Sequence, residues 1–583
     1  MRTMPCVSRL GAALSLAVLV LAALCLGSAQ AQSSAAAEPS LGAKVDALFA
    51  QWNSLNTPGA AVAVIKDGLV VYRKGFGCAQ LEYGIPITPS TVFHVASVSK
   101  QFTAMAITML EAAGKLSADD DIRKYLPEMA DFGAPVTIRH LLNHTSGLRD
   151  QWDLLVLSGW RMDDVITQAQ ILDRLRRQRE LNFAPGSRYL YSNSGFTLLA
   201  EIVSRVSGKP FTDWTRENIF EPLGMTSTHF HLDHTEIVRN RAYSYDGDPE
   251  AGFRQAVLNY ANVGATSLFT TVEDMANWLR NFEDKRVGGP AALDKMVTKG
   301  VLNDGTEIGY ARGLEIGAYK GLKTIGHGGS DAGFRSQVLY FPGERFGVAV
   351  FSNLGSFDPG TVALRIADIY LAPQIAAAAP TPAIESKMPP AAAGPAPGPI
   401  TLPAESLKAC TGTYWLEASQ LLRKLVVEKD RLFYVRSSDN KSELAPLSPT
   451  RFKMLGVSGD VFIDFSNISG GFYNGFTFIE ANGSKVEAKR IEPFEPNEAQ
   501  LKEYAGSYYA DEIDTRYDLL LRSGSLWLAV GHNEEVRLTP LKKDLFAAEN
   551  AKIQFVRDGR GRISGVRLST NRVLNLKFVR TSR

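Results

Sequence analysis

Cysteine is scarce in this chain of 583 residues: there are four, and two of them, Cys6 and Cys25, fall in an N-terminal leader. Cys78 and Cys410 remain, so a disulfide framework is excluded and two buried thiols are expected. No sign of charge dominates either. Lys and Arg number 63 against 61 Asp and Glu, and losing Arg2 and Arg9 with the leader leaves 61 of each. Part of the isoelectric point near 8.2 therefore belongs to the leader. Nucleic-acid affinity rests on clustered cations, so no polyanion partner is expected. The apolar run from Leu10 to Leu26 falls short of the roughly 20 residues of a membrane span. It is followed by Ala29-Gln30-Ala31, a small-x-small cleavage signature. Residues 1–31 are expected to be a secretory signal peptide, cleaved before Gln32, which predicts a periplasmic or secreted protein without a stable membrane anchor. Leu24 before Cys25 argues against lipoprotein processing.

The composition, 45% hydrophobic and 21% charged, is that of a folded chain, and the length suggests about three or four domains. Ala60-Ala-Val-Ala-Val-Ile65, a Lys66-Asp67-Gly68 turn and Leu69-Val-Val-Tyr-Arg73 predict a hairpin. Ser336-Gln-Val-Leu-Tyr-Phe341 and Phe346-Gly-Val-Ala-Val-Phe351, joined through Pro342-Gly343, predict another. Between them Phe102, Met105, Ala106, Met109 and Leu110 have helical spacing, with Gly114 as the stop. The fold class predicted for residues 41–371 is α/β (α+β), with strands from both ends sharing one antiparallel sheet flanked by helices, beside an all-helical region. Residues 376–403 are rich in Ala and Pro and read as a semi-extended linker. Beyond it, Leu407-Lys-Ala-Cys-Thr-Gly412-Thr-Tyr414 recurs as Leu501-Lys-Glu-Tyr-Ala-Gly506-Ser-Tyr508, 94 residues on. Two small antiparallel β-barrels or sandwiches, 405–494 and 499–583, are expected. Cys410 occupies the place of Tyr504 and reads as core.

Ser97-Val98-Ser99-Lys100 opens the Phe102 to Leu110 helix. Three residues apart on one helix face, an amine is brought to a hydroxyl. Serine is a poor nucleophile unless a neighbour takes its proton, and a lysine in apolar surroundings can have its pKa lowered enough to do so. Alone the pattern is weak, since a chain this long holds on the order of one or two such pairs by chance, and Ser438-Asp-Asn-Lys441 is one. Tyr191-Ser192-Asn193, ahead of a helix with Leu198, Leu199, Ile202 and Val203 on one face, and His327-Gly328-Gly329, ahead of a strand, change that weighing.

Ser-x-x-Lys, Tyr-x-Asn and His-x-Gly in this order resemble the serine β-lactamase and penicillin-binding superfamily, whose other branches carry a related motif set. The resemblance is to the branch of class C β-lactamases, D,D-carboxypeptidases, D-aminopeptidases and related esterases. Phe93-His-Val-Ala-Ser97, Leu141-Leu-Asn-His-Thr-Ser-Gly-Leu148 and Phe220-Glu-Pro-Leu-Gly-Met225 support it over residues 41–371, and the C-terminal repeats resemble the extra barrels of the D-aminopeptidases. The resemblance implies that Ser97 is acylated and that Lys100 and Tyr191 exchange protons with it and with the leaving group. It also implies that Asn193 holds the substrate amide, and that the backbone N–H groups of Ser97 and Ser330, beside Gly328 and Gly329, form the oxyanion hole. His327 stands where many β-lactamases of this superfamily have Lys. Imidazole is mostly uncharged near neutral pH, so an anionic penicillin carboxylate is not the expected preferred ligand.

Other strings are weaker. His229-Phe-His231-Leu-Asp233-His234 reads as a zinc-ligand string, but only His327 and His532 follow it and it continues directly from the Leu223-Gly-Met225 segment. No metal and no cofactor are expected. His144 and Ser146 read as a turn between helices, Arg149 and Asp150 as solvated, and Thr271-Val-Glu-Asp274 as a helix cap. The absence of Gly-x-Ser-x-Gly argues against an α/β-hydrolase. The expected function is a serine hydrolase acting through an acyl-enzyme on a small molecule or short peptide, D-aminopeptidase-like first. D,D-carboxypeptidase, esterase and class C-like β-lactamase are the rivals, and a penicillin-sensing or wall-binding protein with little turnover is the non-enzymatic alternative. Oligomeric state is not legible in any motif.

Overall fold

Strand β1, Ala60–Lys66, is apolar at almost every position because it is hydrogen-bonded on both sides and buried nearly throughout. Asp67 and Gly68, both at positive φ, turn the chain into β2, Leu69–Phe76, the two-residue hairpin chemistry that suits the twist of paired strands. The structure, a computed structural model, describes residues 39–378 and 400–581 except 260, 417–420, 437–439, 458–459, 480–484, 493, 532 and 549–550. The expected signal peptide, most of the Ala/Pro-rich stretch, His532 and part of the 438–441 pair lie outside the described residues. The described chain forms two compact units, divided after Leu48. The first contributes one helix, Leu41–Leu48.

In the second unit, α1, Lys100–Ala112, and α2, Asn193–Ser207, belong to the helical region, and α3, Val272–Asp284, packs on the sheet. Strands β3, Glu315–Tyr319, β4, Leu322–Asp331, β5, Phe334–Phe341, and β6, Phe346–Ser352, complete the sheet in the order β3-β4-β5-β6-β1-β2. The N-terminal hairpin thus joins the C-terminal strands in register Ala60↔Ser352. Helix α4, Pro359–Tyr370, packs on β5 and β6. Among the described residues no helix is long and apolar enough to cross a membrane.

The repeats fold into two closed barrels of eight antiparallel strands, from Gly412–Leu416 to Lys485–Ile491 and from Gly506–Ala510 to Leu576–Thr581. The two barrels share one hydrogen bond at the repeated string. The Tyr414 hydroxyl donates to the Cys410 carbonyl at 3.0 Å, and the Tyr508 hydroxyl to the Tyr504 carbonyl at 2.7 Å. Cys78 and Cys410 are buried free thiols.

The barrels relate differently to the rest. One hydrophobic core runs from the sheet and helices into the second barrel, whereas the first barrel has a core of its own, built around Tyr414, Phe452 and Phe476. The second barrel is also held by polar contacts, and here Arg149 departs from its expected solvated place. It is fully buried, its Nη1 donating to Glu512 at 2.6 Å and to the Glu180 carbonyl at 2.8 Å, its Nη2 to the Leu574 carbonyl at 3.1 Å. The correction has a physical reason: a guanidinium can be buried when its fork is met by a carboxylate and carbonyls. Two of these partners, Glu512 and Leu574, lie 363 and 425 residues away in sequence.

Candidate active site

Ser97 lies in a 3-10 turn, Ala96–Ser99, just ahead of α1 rather than within it. Ala96 is held at φ +48°, a conformation costing on the order of 1–3 kcal/mol for a residue with a Cβ. The surroundings enforce it: Ser336 Oγ donates to the Val95 carbonyl at 2.8 Å, and Val95 N donates to Leu268. Ser97 emerges half-buried while Ala96, Val98, Ser99 and Lys100 are buried.

Side chains three apart in a 3-10 turn nearly eclipse, and Lys100 Nζ lies 3.1 Å from Ser97 Oγ. It also donates to Asn193 Oδ1 at 2.8 Å and to the Ala265 carbonyl at 2.7 Å. Both of these partners only accept, so each keeps an N–H. When the ammonium loses a proton, its lone pair is left facing Ser97 Oγ. Burial pushes the Lys100 pKa down to about 7, against the pull of Asp150 and Asp331.

Asn193 begins α2, and its place is fixed by Asp150, which accepts from its backbone N at 2.6 Å and its Nδ2 at 2.9 Å. Asp150 is buried, not solvated as the sequence suggested, because those two donors and Trp152 N satisfy its carboxylate. Tyr191 places its ring 4.9 Å from Lys100 Nζ. Burial drives its pKa well up, although a side-chain hydrogen bond with Ser97 works the other way. The amine and the phenol are thus pushed toward opposite roles at neutral pH, one a base and the other a proton donor.

His327 is nearly fully buried on β4. Its Nδ1 faces the Gly328 carbonyl at 2.6 Å and must donate there, so Nε2 accepts from the Tyr310 hydroxyl at 2.9 Å. Burial and then the Lys100 charge lower its pKa to about 3. The imidazole is therefore neutral at physiological pH. β3 pairs with β4 only as far as Gly326, which leaves the edge from His327 to Asp331 without a strand beside it. That edge presses on the Ser97 turn: a Cβ on Gly329 would lie 2.4 Å from the Val95 carbonyl oxygen and 2.3 Å from Ser336 Oγ. Only glycine allows this approach. Ser97, Tyr191, Asn193, His327, Gly328, Gly329 and Ser330 all line one cleft of about 450 Å³, with Lys100 buried beneath it.

Sequence reasoning missed four neighbours. His144, buried at φ +57°, packs its ring tilted against Tyr191 at 4.2 Å between ring centroids and accepts from Ser192 N through Nδ1. Burial holds its pKa well below the usual range. Tyr310 donates to His327 Nε2, Asp150 orients Asn193, and Arg572 reaches the cleft from the second barrel. A signal existed for His144 and Asp150: the Leu141 to Leu148 string contains the first and stops two residues short of the second. The zinc-like string is dispersed. His229 stacks on Phe269 and His231 lies tilted against it, with burial pushing His231 down to about 4, while Asp233 and His234 are exposed. Among the described residues no three His, Cys, Asp or Glu gather to hold a metal ion.

D-aminopeptidase of Gluconobacter oxydans is 33% identical over 297 residues, 51% of this chain and 56% of the relative. D-aminopeptidase of Brucella anthropi is 32% identical over 317 residues, 54% and 59% respectively. The chain thus spans somewhat over half the length of these curated relatives. The octameric penicillin-binding protein homologue from Pyrococcus abyssi, 26% identical, superposes with a TM-score of 0.50 over 74% of this chain and 96% of its own. Residues 45–371 match the family model described as Beta-lactamase, and the chain belongs to that family.

Proposed function

We propose that this chain is a serine hydrolase that opens amide or peptide bonds through an acyl-enzyme on Ser97, with D-amino-acid amides and short D-peptides as its first substrate class. One observation carries the reading: Lys100 is buried, has a pKa of about 7, and lies 3.1 Å from Ser97 Oγ with its other two N–H bonds committed. Neutral Lys100 takes the Ser97 proton as Oγ attacks the carbonyl carbon. The backbone N–H groups of Ser97 and Ser330 hold the oxyanion. Tyr191 gives its proton to the leaving nitrogen and takes one from Lys100, and a water molecule then releases the acyl group by the same route reversed. The D-aminopeptidases among the relatives support the substrate class.

The test joins mass spectrometry to a substrate screen. An acylating probe should add its acyl mass at Ser97 and leave again quickly, and Ser97→Ala should show no adduct. Persistence of the adduct would favour the sensor, and absence at Ser97 would end the acyl-enzyme reading. In a screen of D-amino-acid amides, D-Ala-D-Ala peptides, short-chain esters and a chromogenic cephalosporin, the amides or peptides should lead. The cephalosporin should lag, because the position that holds a β-lactam carboxylate in relatives with Lys is here an uncharged imidazole.

We also infer that residues 1–31 direct export, from their basic start, apolar run and Ala29-Gln30-Ala31. N-terminal sequencing of protein recovered outside the cytoplasm should begin at Gln32, and an intact Met1 start there would contradict export with cleavage.

A further inference from the structure

The last hairpin of the second barrel joins Ile563–Ser569 to Leu576–Thr581, and its loop reaches the cleft. The loop is anchored by backbone. The Arg572 carbonyl accepts from Asn182 Nδ2 at 2.9 Å and from Asp150 N at 3.3 Å, and Leu574 N donates to Asn182 Oδ1 at 2.7 Å. The Arg572 side chain takes no part in this docking. It lines the cleft, its guanidinium 5.1 Å from the centre of the Tyr191 ring, and it makes no ion pair among the described residues.

Glu315 also lines the cleft, and the other carboxylates around Arg572 are engaged elsewhere. Asp150 holds Asn193 and Trp152 N, Asp153 accepts from the Thr570 hydroxyl, and Asp331 accepts from the Thr266 hydroxyl at 2.7 Å and faces His94 Nε2 at 3.1 Å. Asp358 caps α4 through Thr361. A guanidinium carries five N–H donors in a planar fork that fits a carboxylate with two parallel bonds. Here such a fork faces a cleft whose other candidate for anion binding, His327, is uncharged.

We propose that Arg572 is a specificity-determining residue that takes a free carboxylate on the leaving portion of the substrate. The proposal rests on the acyl-enzyme reading and narrows its substrate class to amides whose leaving group is an amino acid or a similar short acid. Tyr191 hands its proton to the leaving nitrogen, so a guanidinium above its ring stands on the leaving-group side. A flexible peptide can bring its terminal carboxylate to Arg572, whereas the rigid bicycle of a cephalosporin directs its own toward the position of His327. The second barrel is thereby part of the substrate site rather than only a wall beside it.

The experiment compares D-Ala-D-Ala with its C-terminal amide, which share the same scissile bond, using the full chain. Charge-assisted pairing predicts that kcat/KM favours the free acid by about 10- to 100-fold, chiefly through KM. In Arg572→Gln the ratio should fall to about one, and Arg572→Lys, which keeps the charge without the fork, should retain part of it. A ratio near one in the natural chain, or an unchanged ratio in Arg572→Gln, would overturn the proposal, and the first of these does not depend on any variant folding. A burst of p-nitrophenol from p-nitrophenyl acetate in the natural chain separates the two levels. A burst without carboxylate preference rejects the role of Arg572 alone, and no acylation by any substrate rejects the acyl-enzyme reading and this proposal with it.

Discussion

Lys100→Arg should lower kcat/KM by about 10³- to 10⁴-fold, near the upper end of what a positioned general base contributes. Arginine keeps the positive charge but does not give up a proton at any usable pH and has no lone pair to offer. The natural chain should show an acid limb in kcat/KM with an apparent pKa near 7, since burial lowers the Lys100 pKa to about that value. The sign follows from the role: only the unprotonated amine accepts the Ser97 proton, so activity falls as pH drops through 7 and levels off above it. Because Lys100 and Tyr191 exchange protons, that limb belongs to the pair. The same burial opposes folding. Lys100 has the ordinary lysine pKa when unfolded, so between about 7 and 10.5 the unfolded chain binds more protons, and stability rises with pH across that window. A pH-rate profile of both proteins checks the role of Lys100. A variant that retains the limb, or loses less than about tenfold, would move the base elsewhere.

The parts of the site legible in the sequence are those whose partners are close in the chain or carried by a strand–turn or turn–helix motif. Ser97 and Lys100 share one turn, Tyr191 and Asn193 flank the start of α2, and His327 to Ser330 lie along one strand. The two hairpins and the repeat were legible for the same reason, each being a local pattern that closes on itself. Adjacent charged residues such as Arg149 and Asp150 are usually on the surface, so the sequence alone points them to solvent. What buries them is supplied from elsewhere: Asn193 is 43 residues away from Asp150, and Glu512 is 363 away from Arg149. Arg572 lay hidden in a repeat that looked purely structural. No periodicity marks a loop that leaves one domain to enter the cleft of another.

The division of charge follows from that packing. Burial neutralises His327 and keeps Tyr191 a phenol, and it holds Lys100 near the point of half-protonation. The neutral imidazole of His327 offers no charge to a substrate carboxylate. A substrate carboxylate must instead be met by groups at the rim, and the barrel loop supplies Arg572 there. Chemistry and specificity thus arise from separate parts of the chain, consistent with specificity residing in loops placed on a rigid scaffold.

Glu512→Ala should destabilise the docked second barrel by about 3–5 kcal/mol, because it leaves the Arg149 charge buried without its carboxylate. Arg149 is 0% and Glu512 9% exposed at the side chain, with 2.6 Å between them. The loss should fall toward the lower end of that range. The Glu180 carboxylate lies 3.6 Å from Arg149, though it is 43% exposed and already paired with Arg567, and the carbonyls of Glu180 and Leu574 stay in place. Amide hydrogen exchange is the suitable readout, since the first barrel has a hydrophobic core separate from that of the rest. Protection should drop by about 10²-fold at Leu574, whose N–H is held by Asn182, and at Asp150, whose N–H is held by Arg572. The first barrel, with its own core, should keep its protection at Leu425 and Tyr434. Removing both charges in Arg149→Met with Glu512→Leu should recover much of the loss, because a buried pair replaced by apolar groups is near neutral. Recovery should remain incomplete, since two carbonyls lose their donor. If protection at Leu574 is unchanged in Glu512→Ala, or falls equally in both barrels, the ion pair is not what fixes the second barrel and its Arg572 loop at the cleft.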